Sequence, residues 1–355
     1  MASTTKNPVY GTGGGANEAR EEGGGGRKIE AIGIVLMFLV MVASNAISSG
    51  TKLMGDTNAG ELSGENPTYL TPDGSTFSIW GLIYLFEALF VLYQAAPAGS
   101  TKGWGGLEDA RVGKARRWVL LAFALNACWL PVFQYRRWWL ALAVIVGYLY
   151  ALWRTRQALE TDFAANLVGA CAPQSWGFRI NACTGFSLNL SWLVVATLLN
   201  VTVVARNSRI IYTVVTEGVT NATAGVVHGS SGAAPVAIIG GNVDWAVFCI
   251  ALAVGLALSA AYYHADLPYV FIACWALGGV YRMQHTADDA RFPASARSDD
   301  LMHWAVAGMI IASVGGLLAI AAGIVMRRGR KGGSLAAGSD RLDAPLTPGG
   351  SGSGV

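Results

Sequence analysis

Charged residues are scarce in this sequence. Asp, Glu, Lys and Arg make up 13% of its 355 residues, about half the share of roughly 25% found in soluble globular proteins. Hydrophobic residues make up 53%, and the mean hydropathy is +0.43. This composition excludes an ordinary water-soluble enzyme and predicts a polytopic membrane protein in a lipid bilayer. The formal charge of +3 is too small to indicate a nucleic-acid partner.

Cysteines are few and odd in number, and no CxxC pair occurs, which excludes a disulfide framework and a thiolate metal cage. They are Cys128, Cys171, Cys183, Cys249 and Cys274. Acidic residues and a histidine before the last apolar run could bind a metal ion, but their spacing matches no recognised ligand set. These are His285, Asp288, Asp289 and Asp299. A solvated loop is the favoured interpretation, and we expect no metal.

Enzymatic signatures are also missing. The sequence contains no HExxH, no GxSxG, no glycine-rich phosphate loop and no pair of acids within an apolar run, so we expect no catalysis and no resident cofactor. A retinal Schiff base would need a lysine within a helix. Every lysine lies outside the apolar runs: Lys6, Lys28, Lys52, Lys102, Lys114 and Lys331.

Eight apolar runs are long enough for a helix to cross the hydrocarbon, and in lipid each must be helical because no water is present to bond its backbone. They lie near residues 31–50, 76–96, 117–135, 138–158, 182–205, 243–263, 267–283 and 301–326. The sequence therefore predicts an all-α transmembrane bundle. We divide it into a five-helix domain at 31–205, an extramembrane loop at 206–242 and three additional helices at 243–326. The glycine-rich segments 1–30 and 327–355 are predicted to be disordered tails.

The orientation follows from the basic residues, because the cytoplasmic side of a membrane protein is enriched in them. If the N-terminus is cytoplasmic, the cytoplasmic segments hold about twice as many Lys and Arg as the opposite side. Both termini are then cytoplasmic, and the sequon at Asn221 faces the side on which glycosylation occurs. The first apolar run begins too late for a secretory signal. Residues 7–10, Asn-Pro-Val-Tyr, match a sorting pattern that four residues also match by chance.

One face of the second run carries Phe77, Trp80, Tyr84 and Glu87 at helical spacing. Glu87 is the only ionisable group in this run, so it should face the bundle interior or a water-filled cavity. Two interpretations remain open. Glu87 either anchors a ligand or couples protons, or it is a neutral, hydrogen-bonded residue that joins neighbouring helices.

Two further runs carry comparable stripes. The third has Asn126, Trp129 and Phe133, and the fifth has Trp192, Ala196 and Asn200. Hydrogen bonding between helices is the simplest role for each asparagine taken alone. Three stripes of aromatic and polar residues together predict an apolar cavity with a few polar groups, suited to a flat hydrophobic ligand.

These three stripes resemble the TspO/MBR family, the tryptophan-rich sensory and translocator proteins. The family's second helix has a Pro followed by Phe, Trp and Tyr, its third has Asn-x-x-Trp then Phe, and its fifth has Trp-x-x-x-Ala-x-x-x-Asn. The matching residues here are Pro72, Phe77, Trp80, Tyr84, Asn126, Trp129, Phe133, Trp192, Ala196 and Asn200. The order and the helix placement both match, and the resemblance covers about residues 31–205.

The resemblance implies a five-helix bundle, often a homodimer, that binds porphyrins, sterols or other hydrophobic molecules in a Trp-lined cavity and acts as a sensor or carrier. The matched residues and Glu87 are the expected ligand-binding set. A proton-coupled transporter that uses Glu87 is the alternative. This chain differs in having Ser78-Ile79 before the Trp, in carrying Glu87 and in adding three helices. Small residues spaced by four in the last helix indicate close packing, either within the chain or in a dimer.

Overall fold

The computed structural model describes residues 14–54, 56–97, 105–107, 109–159, 173–207, 242–285 and 298–326. Side chains are described for these residues except 14–24, 59, 60, 173–175 and 206. The expected glycosylation site Asn221, the sorting pattern at 7–10 and the acidic residues Asp288 and Asp289 lie outside the described residues. So does the C-terminal segment 327–355.

All regular structure in the described ranges is helical. The helices are α1 (Gly14–Gly50), α2 (Ala59–Glu65), α3 (Ile79–Ala95, after a 3₁₀ turn Gly74–Ser78), α4 (Ala110–Gln134), α5 (Trp138–Leu159), α6 (Pro173–Phe178, a π-helical turn Arg179–Cys183, then Thr184–Asn207), α7 (Val243–His264), α8 (Leu267–His285) and α9 (Asp299–Ile310, continued by a π-helical turn Ile311–Gly315 and then by α-helix to residue 326). The predicted all-α transmembrane bundle is confirmed.

Seven of these helices are long and apolar enough to cross a membrane, and α8 is not among them. Its 19 residues meet the length requirement, but Arg282, Gln284 and His285 make its C-terminal end polar. The ends of α8 nevertheless contact opposite ends of the bundle. Asp266, just before α8, pairs with Arg156 at the end of α5, and Trp275 and Arg282 contact the start of α3. Helix α8 therefore runs from one end of the bundle to the other.

The first helix is longer than the sequence predicted. It begins at Gly14 rather than near residue 31, so residues 14–30 continue the helix where a disordered tail was expected. Ala, Glu and Arg at 16–22 favour a helix, whereas the four glycines at 23–26 disfavour one, which is why the sequence did not predict this extension. The segment from Gly25 to Gly50 is the part long and apolar enough to span the bilayer.

The first five crossing helices, α1 and α3 to α6, form one bundle. The largest interior cluster is built from their aromatic and aliphatic side chains, among them Phe90, Phe123, Ile145 and Phe186, each at most 1% exposed. A Cβ atom added at Gly185 of α6 would lie 2.8 Å from the backbone nitrogen of Glu87 on α3. Only a glycine lets these two helix backbones come so close.

The three additional helices pack against this bundle and against one another. The small residues of α9 face inward: a Cβ atom at Gly308 would lie 3.0 Å from Leu277 of α8, and one at Gly316 would lie 3.2 Å from Val270. Of the two roles open for these residues, the structure shows close packing within the chain. An ion pair also joins the turn between α7 and α8 to α5. The Asp266 carboxylate, 3% exposed, lies 2.7 Å from the Arg156 guanidinium.

We predict that Gly185→Ala lowers the free energy of unfolding by about 1–3 kcal/mol, the usual cost of inserting a methyl group into packed structure. The reason is that the new methyl group meets the α3 backbone, which cannot rotate away as a side chain would. The measurement is reversible unfolding in mixed micelles. Gly255→Ala in α7 is the matched control, since its Cβ meets nothing within 4 Å. Equal stability of the two variants would contradict the close contact between α3 and α6.

Candidate functional site

A cavity of about 1320 Å³ lies between α1, α3, α4 and α6. It forms where the inward faces of these helices diverge. The connection between α1 and α3, which includes α2, covers its outer end. The cavity is lined by aromatic rings in its interior and by polar side chains of this connection at its mouth.

Eight of the ten residues predicted to bind a ligand line this cavity: Phe77, Trp80, Tyr84, Trp129, Phe133, Trp192, Ala196 and Asn200. The other two, Glu87 and Asn126, do not appear among the lining residues. Both are fully buried and lie farther into the bundle. The structure thus brings the three aromatic stripes together at one cavity and places the acid behind it.

Trp192 is the centre of the aromatic wall. It is 1% exposed and makes edge-to-face contacts with Trp80 and Phe77, at ring-centroid distances of 6.3 and 5.9 Å. Trp80 in turn stacks on Tyr84, at 5.4 Å. Such contacts hold aromatic rings in fixed orientations, so the wall presents preformed flat and edge surfaces rather than flexible side chains.

Several buried polar groups in the wall lack a protein partner. Among the described residues, the indole N–H groups of Trp129 and Trp192 have no hydrogen-bond acceptor, and neither amide atom of Asn200 is paired. All three side chains line the cavity. A buried donor or acceptor without a partner costs about 1–3 kcal/mol. A molecule that carries hydrogen-bonding groups could therefore gain affinity by satisfying them.

The mouth of the cavity carries paired charges. Helix α2 begins with a capping box, in which Asn58 and Glu61 bond each other's backbone N–H groups. Glu61 also pairs with Lys52 at 2.9 Å, and Glu65 pairs with Arg136 at 2.7 Å. The hydrogen bond from Lys52 lowers the pKa of the Glu61 carboxyl. These exposed pairs join α2 to the end of α1 and to the end of α4 at the cavity mouth.

Behind the cavity, Glu87 belongs to a network of buried hydrogen bonds. The Asn189 amide donates to Glu87 Oε1 at 2.6 Å and to the Tyr148 hydroxyl at 2.5 Å. Asn126 donates to the same hydroxyl at 2.9 Å. Glu87, Asn189, Tyr148 and Asn126 are each fully buried. The arrangement supports the second interpretation of Glu87, a hydrogen-bonded residue that joins helices.

The network reaches the cavity through α1. The Asn45 amide donates to Asn126 Oδ1 at 3.0 Å, and Asn45 and Tyr84 both line the cavity. The Tyr84 hydroxyl also interacts with the Asn126 and Asn45 side chains. Neither Asn45 nor Tyr148 was among the site residues predicted from the sequence. Their signal was a polar group within an apolar run, beside Ser44 in one case and near Tyr150 in the other, and many packed helices contain such groups.

These features define a polytopic helical membrane protein with an interior cavity of ligand size. The family model described as "TSPO-like protein" matches residues 31–229, more than half of the chain. The chain belongs to this family, as the three stripes indicated. No curated protein and no solved structure matches the chain. Helices α7 to α9 begin after the matched region.

We predict that Glu87→Gln leaves the free energy of unfolding within about 0.5 kcal/mol of the wild type, whereas Glu87→Leu lowers it by about 1–3 kcal/mol. Glutamine keeps an oxygen that accepts the Asn189 hydrogen bond, but leucine leaves that buried donor without it. Unfolding in mixed micelles measures both variants. A Glu87→Gln protein as unstable as Glu87→Leu would show that the hydrogen bond is not what this residue contributes.

Proposed function

We propose that this protein binds a hydrophobic ring-shaped molecule, a tetrapyrrole or a sterol, in the cavity, and acts as a sensor or carrier without catalysing a reaction. The observation that carries the proposal is the convergence of eight predicted residues from α3, α4 and α6, with the turn before α3, on one cavity. Membership of the TSPO-like family supports the same class of function.

The dimensions and chemistry of the cavity suit such a ligand. Its volume of about 1320 Å³ exceeds the range of about 300–1,000 Å³ typical of drug-sized pockets, which leaves room for a fused-ring molecule. Trp80 and Trp192 offer surfaces for stacking or edge contact. The unpaired groups of Trp129, Trp192 and Asn200 would fix the ligand's orientation by bonding its oxygen or nitrogen atoms.

A proton-coupled transporter remains the alternative because the Glu87 network connects to cavity-lining Tyr84 and Asn45. Glu87 itself does not line the cavity, which supports a structural role over direct contact with a transported molecule. One variant distinguishes the ligand-binding function from proton-coupled transport. Glu87→Gln should leave ligand affinity unchanged in a binding protein and should abolish pH-dependent uptake in a proton-coupled transporter.

We also propose that both termini are cytoplasmic and that the cavity mouth faces the opposite side, following the distribution of basic residues. Lys52 at the mouth and Lys114 near the start of α4 are both exposed. In a cysteine-free background and in sealed membranes of known sidedness, a membrane-impermeant maleimide should label Lys52→Cys only from the non-cytoplasmic side and Lys114→Cys only from the cytoplasmic side. The reverse pattern would invert the proposed orientation.

The binding test uses purified protein with protoporphyrin IX, followed by the porphyrin's own fluorescence, and with radiolabelled cholesterol. We expect saturable binding of at least one of these, weakened at least tenfold by Trp80→Ala and by Trp192→Ala. Tenfold corresponds to about 1.4 kcal/mol, within the contribution expected from a buried aromatic contact.

Trp304→Ala is the matched control, because Trp304 is half-exposed on α9 and lies outside the cavity lining. It should keep wild-type affinity. Binding that survives both cavity substitutions, or that Trp304→Ala weakens equally, would show that the ligand binds elsewhere. If neither probe binds the wild-type protein, the proposed ligand class is wrong.

A further inference from the structure

One edge of the cavity is attached to a helix outside the family's five-helix region. Residues 71–77, which we call the rim, connect α2 to the start of α3. All of them except Thr76 line the cavity. Thr76 is instead fully buried and contacts α8. The rim therefore lies between most of the cavity and α8.

Backbone and side-chain hydrogen bonds join the rim to α8. The Asp73 N–H donates to the Gly279 carbonyl at 3.0 Å, and the Trp275 indole N–H donates to the Thr76 carbonyl at 2.9 Å. Arg282 donates to the Thr76 hydroxyl at 3.2 Å and lies 3.8 Å from the Asp73 carboxylate. These contacts link segments about 200 residues apart in sequence.

The packing at this contact is tight. A Cβ atom at Gly279 would lie 2.2 Å from the Thr76 hydroxyl oxygen and 2.7 Å from its methyl group, so any other residue must displace the rim. One turn farther along α8, Met283 itself lines the cavity. The family match ends at residue 229, so α8 adds this attachment to the five-helix bundle.

We propose that α8 positions the rim of the cavity and thereby governs how fast a ligand enters and leaves, with Trp275, Gly279 and Arg282 as positioning residues. The first part of the proposal concerns the rim alone. The second part rests on the proposed function, since it requires a ligand in the cavity. Two separate measurements therefore test it.

Gly279→Ala is the main variant, because its methyl group forces the rim away from α8. Gly278→Ala is the matched control one residue earlier. Its Cβ would lie 3.7 Å from the Met309 sulfur and 3.8 Å from the Arg282 guanidinium, both ordinary contact distances, and no atom of the rim lies within 4 Å of it. Trp275→Phe is a second variant that removes the hydrogen bond to the Thr76 carbonyl without adding bulk.

Hydrogen–deuterium exchange of the full-length protein without ligand tests the first part of the proposal, because the exchange rate of the rim amides reports how firmly the rim is held. We expect peptides covering residues 71–77 to exchange at least tenfold faster in Gly279→Ala and Trp275→Phe, while peptides from α5 keep their wild-type rates. Gly278→Ala should match the wild type throughout. Unchanged exchange of the rim in both test variants would overturn the proposal, as would equal acceleration in α5, which would indicate general destabilisation.

The dissociation rate of bound cholesterol or protoporphyrin IX tests the second part of the proposal, that α8 governs how fast a ligand enters and leaves. We expect both test variants to release the bound probe at least threefold faster than the wild type and Gly278→Ala. A looser rim with an unchanged dissociation rate would overturn control of exchange by α8. If the wild type binds neither probe, the proposed function fails and the exchange measurement still decides whether α8 positions the rim.

Discussion

The cost of burying polar groups away from water is the constraint on which the bundle depends. Tyr148 accepts hydrogen bonds from Asn126 and Asn189, and through them it is joined to Asn45 and Glu87. Each of the five core helices contributes one residue to this network. Because lipid offers no alternative partners, losing these bonds would leave the buried groups unpaired, which favours the observed arrangement of the five helices. The network therefore specifies how the helices are rotated and how deeply they are set.

The cavity wall differs from this network in how many of its buried polar atoms are paired. Each residue of the network makes at least one hydrogen bond, although Glu87 Oε2, Asn189 Oδ1 and Asn45 Oδ1 have no partner among the described residues. In the wall, the indole N–H groups of Trp129 and Trp192 and both amide atoms of Asn200 have none. The same bundle thus contains a hydrogen-bonded network, which joins the helices, and a cavity wall whose unpaired groups favour a bound molecule. Glu87 lies in the network although its helix also supplies Trp80 and Tyr84 to the wall.

The additional helices extend this architecture. Glycines in α9 let it approach α8 closely, and α8 in turn holds the rim through Thr76 and Asp73. The buried pair Arg156–Asp266 joins the other end of α8 to the core. A family match that ends before α7 is therefore compatible with these helices completing the wall and entrance of the site.

The sequence by itself determined the membrane class, the positions of the crossing helices, the family, and eight residues of the cavity wall. These follow from local composition and from helical spacing, which places Trp80 and Tyr84 on one face whatever surrounds them. Only the tertiary structure decided that Glu87 bonds Asn189 behind the cavity, that Tyr148 joins the helices, and that α8 holds the rim. Each of these depends on contacts between residues far apart in sequence, and helical periodicity carries no information about which helix lies opposite.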